Sequence, residues 1–197
     1  MVTVDVETTG VDPHLHGLIS IGAILWQDPE QWFYGEARPS DGVEITDGAL
    51  NVNGFTYEQL AELPMDMPTM LLQFFTWVRA QPEPWILAGH NAQFDLKFLQ
   101  KESDRCGFDP RDFPFAYHTI DLHTVAQTDY FRTKGFWYPD TMPAWKIFEK
   151  LGIPNEPKPH HGLNGALWEM EALGRLLLKR SMFTDFAEYP VKENPWA

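Results

Sequence analysis

Asp5 and Glu7 stand two residues apart in "MVTVDVETTG", an alternating apolar run at the start of the chain. In an extended strand that spacing puts both carboxylates on one face. Two acids held together are costly to bury unless a cation neutralises them, and oxygen ligands of this kind select hard divalent ions such as Mg²⁺ or Mn²⁺. A strand end facing solvent would account for the pair taken alone. A third acid, Asp95, follows the apolar run "WILAGH" and falls in the first turn of a helical pattern, where the helix dipole favours a carboxylate and where a simple capping acid would also sit. Taken together, the three acids have the pattern of a two-metal phosphoryl-transfer site, in which paired ions activate water and stabilise the leaving oxygen. His160, in "HHGLNGALWEME", adds a side chain whose ordinary pKa suits a general base near neutral pH.

These residues need elements to hold them. Three strand-like runs, "MVTVDVETTG", "LISIGAILW" (Leu18 to Trp26) and "QWFYGEAR", follow one another and predict an antiparallel meander. "PTMLLQFFTWVRA" (Pro68 to Ala80) has proline near its start and apolar residues at helical spacing, which predicts a helix packed on a sheet. "WILAGHN" predicts a buried strand, and from Ala92 the pattern turns helical, with Phe94, Phe98 and Leu99 packing and Gly107 as a stop. "TDYFRTKGFWYPDTM" (Thr128 to Met142) breaks periodicity and predicts a loop, either folded over the core or turned toward substrate. A short helix from Ala144 to Leu151, a proline-rich turn and a last helix from Leu163 to Arg180 complete the reading. No repeat, low-complexity segment or linker divides the chain, so residues 1–197 read as one domain. Its elements predict an α/β or α+β layer structure, with helices covering a mixed sheet.

Composition narrows the function. Hydrophobic residues make up 44% of the 197 residues, yet no run of about eighteen apolar residues is present, so no membrane association is expected. No leader is read before the first strand, and Cys106 is the only cysteine, which excludes an internal disulfide and fits a reducing cytoplasm. A formal charge of −13 argues against a protein that grips long duplexes by their phosphates. A carboxylate cluster loaded with divalent cations would still draw phosphate locally.

"DVETTG", "GHNAQFDLKFL" and "HHGLNGA" resemble, in order, the three exonuclease motifs of the DnaQ-like (DEDDh) 3'-5' exonucleases, and "ISIGAI" is similar to that family's second strand. The resemblance spans roughly Val2 to Leu178. It implies a ribonuclease-H-like α/β fold with a five-stranded mixed sheet flanked by helices, and removal of nucleotides one at a time from single-stranded DNA or RNA 3' ends. Two Mg²⁺ or Mn²⁺ ions are implied, held by Asp5, Glu7 and Asp95, with His160 as general base. Thr8, Thr9, Asn91 and Phe94 are implied to lie near the terminal nucleotide, Phe94 as a stacking ring or as a core residue of its helix. A homodimer is compatible with the resemblance.

One position departs from the family. Its third motif runs His-x-Ala-Leu-x-Asp-Ala; started at His160, it leaves Gly165 where the fourth carboxylate belongs. Started at His161, it puts Ala166 there and sets Leu163 against the alanine and Asn164 against the leucine. Both registers lack the acid. Glycine inside a helix costs about 0.5–1 kcal/mol relative to alanine, so Gly165 does not serve helix stability. Three explanations stand: an enzyme disabled at this position, a weaker site with one ion loosely held and water in place of the acid, or rescue by Glu169. Glu169 lies one turn on, and helical side chains lean toward the N-terminus; Glu171 points about 120° away. The rival classes are a module that binds nucleic-acid ends without cleaving them, and a structural protein whose acids bind a stabilising ion.

Overall fold

The computed structural model describes residues 1–197. Its first three strands are β1 (Val2–Thr8), β2 (Leu18–Leu25) and β3 (Trp32–Glu36), paired antiparallel as the meander the sequence predicts. β4 (Leu87–Gly89) runs parallel to β1, and β5 (Ile120–Asp121) parallel to β4. The order β3-β2-β1-β4-β5 makes a mixed five-stranded sheet with β1 at its centre. Alternation along β1 divides its side chains: Val2, Val4 and Val6 enter the larger core, and Asp5 and Glu7 take the other face.

That larger core lies under α3 (Met67–Arg79) and α4 (Ala92–Arg105), through Met70, Leu71, Phe74, Leu96 and Phe98. Asp66 caps α3 by accepting from the Thr69 N–H, with Pro68 in the first turn. The opposite face carries α5 (Leu122–Lys134), α6 (Ala144–Leu151) and α7 (Gly162–Leu178), gathered around Leu122, Ala126, Ile147, Phe148, Leu173 and Leu176. Glu171 and Arg175 of α7 form a buried ion pair, Nε to Oε1 2.6 Å. Glu171 also accepts from Ser181 and the Met182 and Phe183 N–H groups, while Arg175 donates to the Tyr189 carbonyl, so the pair ties the C-terminal segment to the helix.

The sequence reading needs three corrections here. Thr128 to Lys134 is the second half of α5, and only residues 135–143 form the connection to α6; the buried residues Leu122, Ala126 and Tyr130 recur every fourth position and make a narrow packed stripe. The last helix ends at Leu178 because Lys179 turns left-handed, at φ 53°. Two short helices, α1 (Asp47–Asn53) and α2 (Tyr57–Glu62), went unread, although Thr56 and Gln59 make a reciprocal capping box at the start of α2. No helix is long and apolar enough to cross a membrane.

Candidate active site

Asp5 pairs with Gly22 across β1 and β2, and this is where α7 lands. A Cβ on Gly22 would overlap the backbone of Gly162 and Leu163, and one on Gly162 would sit 2.9 Å from the Asp5 carbonyl. The helix therefore rests on bare backbone beside Asp5. Gly165 continues the contact: a Cβ there would stand 2.6 Å from Asp5 Cγ and overlap Oδ2. The place for a fourth acid at position 165 is thus taken by Asp5 itself.

One turn along, Glu169 brings a carboxylate back to the same spot. It is 7% exposed, its Oε2 has no hydrogen-bond partner, and that oxygen lies 3.1 Å from where a Cβ on Gly89 would be. Asp95 approaches from the other layer, its Oδ1 accepting from the Val6 N–H at 3.1 Å and so fixing the first turn of α4 against β1. Glu7, Asp95 and Glu169 are all buried, and Asp5 is partly so.

The electrostatics of this cluster are those of crowded acids. Burial, then the charges of Glu169, Asp95, Glu7 and Glu156, push the Asp5 carboxyl well above the usual range. Burial followed by the charge of Glu156 raises Glu7 to about 8. Asp95 and Glu169 are likewise raised well above their ordinary values, in both cases chiefly by burial. Four buried side-chain polar atoms lack a partner, and three of them, Ser20 Oγ, His161 Nδ1 and Glu169 Oε2, lie here. Native interiors seldom leave such atoms unpaired. The side chains do not close on one point as ligands of an ion would. Their chemistry nevertheless fits hard divalent ions: all the donors are carboxylate oxygens, and burial leaves their charge uncompensated.

His160 and Glu7 share a cavity of about 310 Å³, lined also by Ser20, Tyr34, Asn53 and His161. His160 is half-exposed, and its Nδ1 lies 3.4 Å from Glu156 Oε2. His161 instead stacks on Tyr34, centroids 4.2 Å apart and planes 20° from parallel, with Nδ1 buried. Of the two, His160 has the freer ring and the carboxylate neighbour. A larger cavity, about 550 Å³ between Arg38 and Cys106, is lined by none of the clustered acids.

The remaining expected residues divide by geometry. Thr9 is fully buried, its N–H donating to Gly17, its hydroxyl donating to the Glu44 carbonyl and its carbonyl accepting from Thr46, so it builds the turn after β1. Thr8 is buried too, its carbonyl accepting from Asn53 Nδ2. Asn91 is exposed and left-handed, φ 57° and ψ 41°, a conformation that is uncommon away from glycine and that gathers at functional sites. Phe94 is half-buried with its ring 4.7 Å from that of Phe98, so it packs against the core. The sequence reading missed Glu156, Ser20, Tyr34 and Asn53. Glu156 lies in a proline-rich turn without periodicity, and Ser20 faces Glu7 only through the β1–β2 register.

The chain is similar to known proteins along most of its length. Residues 2–171 match the model of the RNase T family, described as exonuclease. The 3'-5' DNA exonuclease Cap18 of Escherichia coli is 26% identical over 189 residues, covering 91% of this chain and 92% of that protein. Exonuclease I of Escherichia coli, solved in complex with a dA16 oligonucleotide, superposes with a TM-score of 0.70 at 18% identity, over 91% of this chain and 40% of that one. Cell-death related nuclease 4 superposes with a TM-score of 0.71 at 16% identity, over 91% and 64%. The chain thus spans about two fifths of exonuclease I, and the likeness to both solved structures is one of fold. With the family model matched from the first strand into α7, the protein belongs to the RNase T exonuclease family.

Proposed function

We propose that this protein is a metal-dependent 3'-5' exonuclease acting on single-stranded DNA or RNA ends, and that Glu169 supplies the fourth carboxylate in place of an acid at position 165. The observation that carries this reading is Glu169 Oε2, buried and unpartnered beside Asp5 and Asp95. A side chain that only solvated a helix would not be held there at the cost of its hydration.

Asp5, Glu7, Asp95 and Glu169 would hold two divalent ions. When bound, Mg²⁺ or Mn²⁺ supplies the positive charge that polarises the scissile phosphate and lowers the pKa of a water. Glu156 orients His160 through Nδ1, which leaves Nε2 as the nitrogen that accepts the water proton as its oxygen bonds to phosphorus. The bond from phosphorus to the 3' oxygen breaks, and the products are a nucleoside 5'-monophosphate and a strand one nucleotide shorter. Asn91 and the half-buried Phe94 would meet the terminal nucleotide, Phe94 by stacking, a contact that tolerates any base. One domain in a reducing cytoplasm, as monomer or homodimer, suffices for this task.

A time course with 5'-labelled single-stranded DNA and RNA tests the reading. A ladder shortening from the 3' end in Mg²⁺ or Mn²⁺, and no change in chelator, is the expected result. Metal-dependent binding of the 3' end with no shortening in any ion would establish a binding module instead.

A further inference from the structure

The sharpest chemical contrast on this acidic molecule lies outside the carboxylate cluster. Residues 131–137, at the end of α5 and in the turn after it, are all exposed, and they include Phe131, Arg132, Lys134, Phe136 and Trp137. Trp145, at the start of α6, lies beyond the same connection and is 52% exposed, against 40% for Phe131 and 59% for Trp137. Large exposed rings in a row ordinarily mark a binding surface. Between residues 131 and 150 the chain carries four cations, Arg132, Lys134, Lys146 and Lys150, and two acids, Asp140 and Glu149, whereas the whole protein is at −13.

The rings are held in place. Phe131 and Trp137 lie 4.7 Å apart, 31° from parallel, and Phe136 stands edge-on to the buried Tyr130 at 5.8 Å. Tyr130 is braced in turn by Tyr138 and Trp196, at 5.0 and 5.5 Å. Lys146 sits 5.4 Å from the Tyr138 ring and 5.9 Å from that of Trp145 while pairing with Asp140. Arg132 and Lys134 enter none of the ion pairs in the molecule and keep their charge for an outside partner.

The connection after the rings also reaches the turn that carries Asn91. A cavity lined by His90, Asn91, Asp121, Thr141, Met142 and Pro143 runs from the turn before α4 to the end of the aromatic segment, and a His90 ring nitrogen lies 3.1 Å from the Met142 carbonyl. Aromatic rings interleaved with cations are the pattern that binds single strands, with bases stacking on the rings and phosphates meeting the charges.

We propose that Phe131, Trp137 and Trp145, with Arg132, Lys134 and Lys146, form a platform for the body of a single-stranded nucleic acid whose 3' end occupies the carboxylate site. The proposal rests on the exonuclease reading for the position of that end. On such a platform a protein of this charge would hold a long strand.

The test measures affinity by fluorescence anisotropy, in chelator, for labelled oligothymidylate and oligouridylate of about 20 and about 4 nucleotides. The double substitution Phe131→Ala with Trp137→Ala is expected to weaken the long strands about tenfold or more and to leave the short ones unchanged. Arg132→Ala with Lys134→Ala should lower the slope of log affinity against log salt by about 1.4, the contribution of two phosphate contacts on a single strand. Loss with DNA, RNA or both supports the platform and says which strand it serves. Unchanged long-strand affinity in variants that melt like the parent overturns it. So does a parent dimer that the ring substitutions dissociate while affinity stays the same, since the rings would then be a contact between copies. The two readings separate cleanly: long-strand binding through the rings without shortening keeps the platform and removes the exonuclease, and cleavage with ring-independent binding does the reverse.

Discussion

Gly165 and Glu169 decide the chemistry at the scale of single residues. The sequence reading found the missing acid and named Glu169 as one of three answers, because helical geometry alone puts its side chain one turn closer to the N-terminus. It could not show that Asp5 fills the space beside Gly165, which depends on how closely the helix meets the sheet. The close contact yields a prediction opposite to the intuitive one. Gly165→Asp should not restore or raise cleavage; it adds volume and charge where Asp5 already stands, and should cost about 1–3 kcal/mol of stability in denaturant unfolding. A faster ladder from the aspartate variant would contradict this account. Glu156 stayed hidden for another reason: an acid in a proline-rich turn has no periodicity to mark its direction, and its approach to Glu7 and His160 is set by tertiary packing.

At the scale of elements, strongly patterned segments were legible and weakly patterned ones were not. β1 to β3, α3, α4 and α6 follow from alternation, helical spacing and punctuating proline or glycine. Neither α5 nor the two-residue β5 did, since a stripe of three buried residues and a strand that short carry little signal. α7 is the element on which the site depends, because Gly162, Gly165 and Glu169 all lie on it. Its far end is anchored by Glu171 and Arg175, 0% and 2% exposed. Glu171→Ala should leave that guanidinium buried without its counter-charge and cost about 3–5 kcal/mol in equilibrium unfolding. A loss below about 1 kcal/mol, the value typical of an exposed pair, would show that the C-terminal segment does not depend on this anchor.

For the whole molecule, the crowded acids make stability depend on pH and on metal. In metal-free protein the raised carboxyls bind protons more tightly folded than unfolded, so their contribution is complete below the ordinary value of 4.5 and is lost as pH rises through the raised ones, about 8 for Glu7. The melting temperature in chelator should therefore fall between about pH 5 and about pH 8, and Mg²⁺ or Mn²⁺ should restore it at the upper end, where binding neutralises the cluster. A melting temperature flat across that range and indifferent to metal would mean that the acids are neither buried nor coupled in solution. The net charge and the single cysteine were readable from composition, but neither indicated where the acids would concentrate.

The most direct test of the central claim compares the parent with Glu169→Gln on a 5'-labelled single-stranded oligonucleotide in Mn²⁺. Glutamine keeps the size of the side chain and removes its charge. If Glu169 is the fourth carboxylate, 3' shortening slows at least about 100-fold, the scale of losing a charge that stabilises a reacting centre, while the metal-free protein melts no lower than the parent because one buried repulsion is gone. Equal rates of shortening in the two proteins would contradict the assignment and leave the site to Asp5, Glu7 and Asp95 alone.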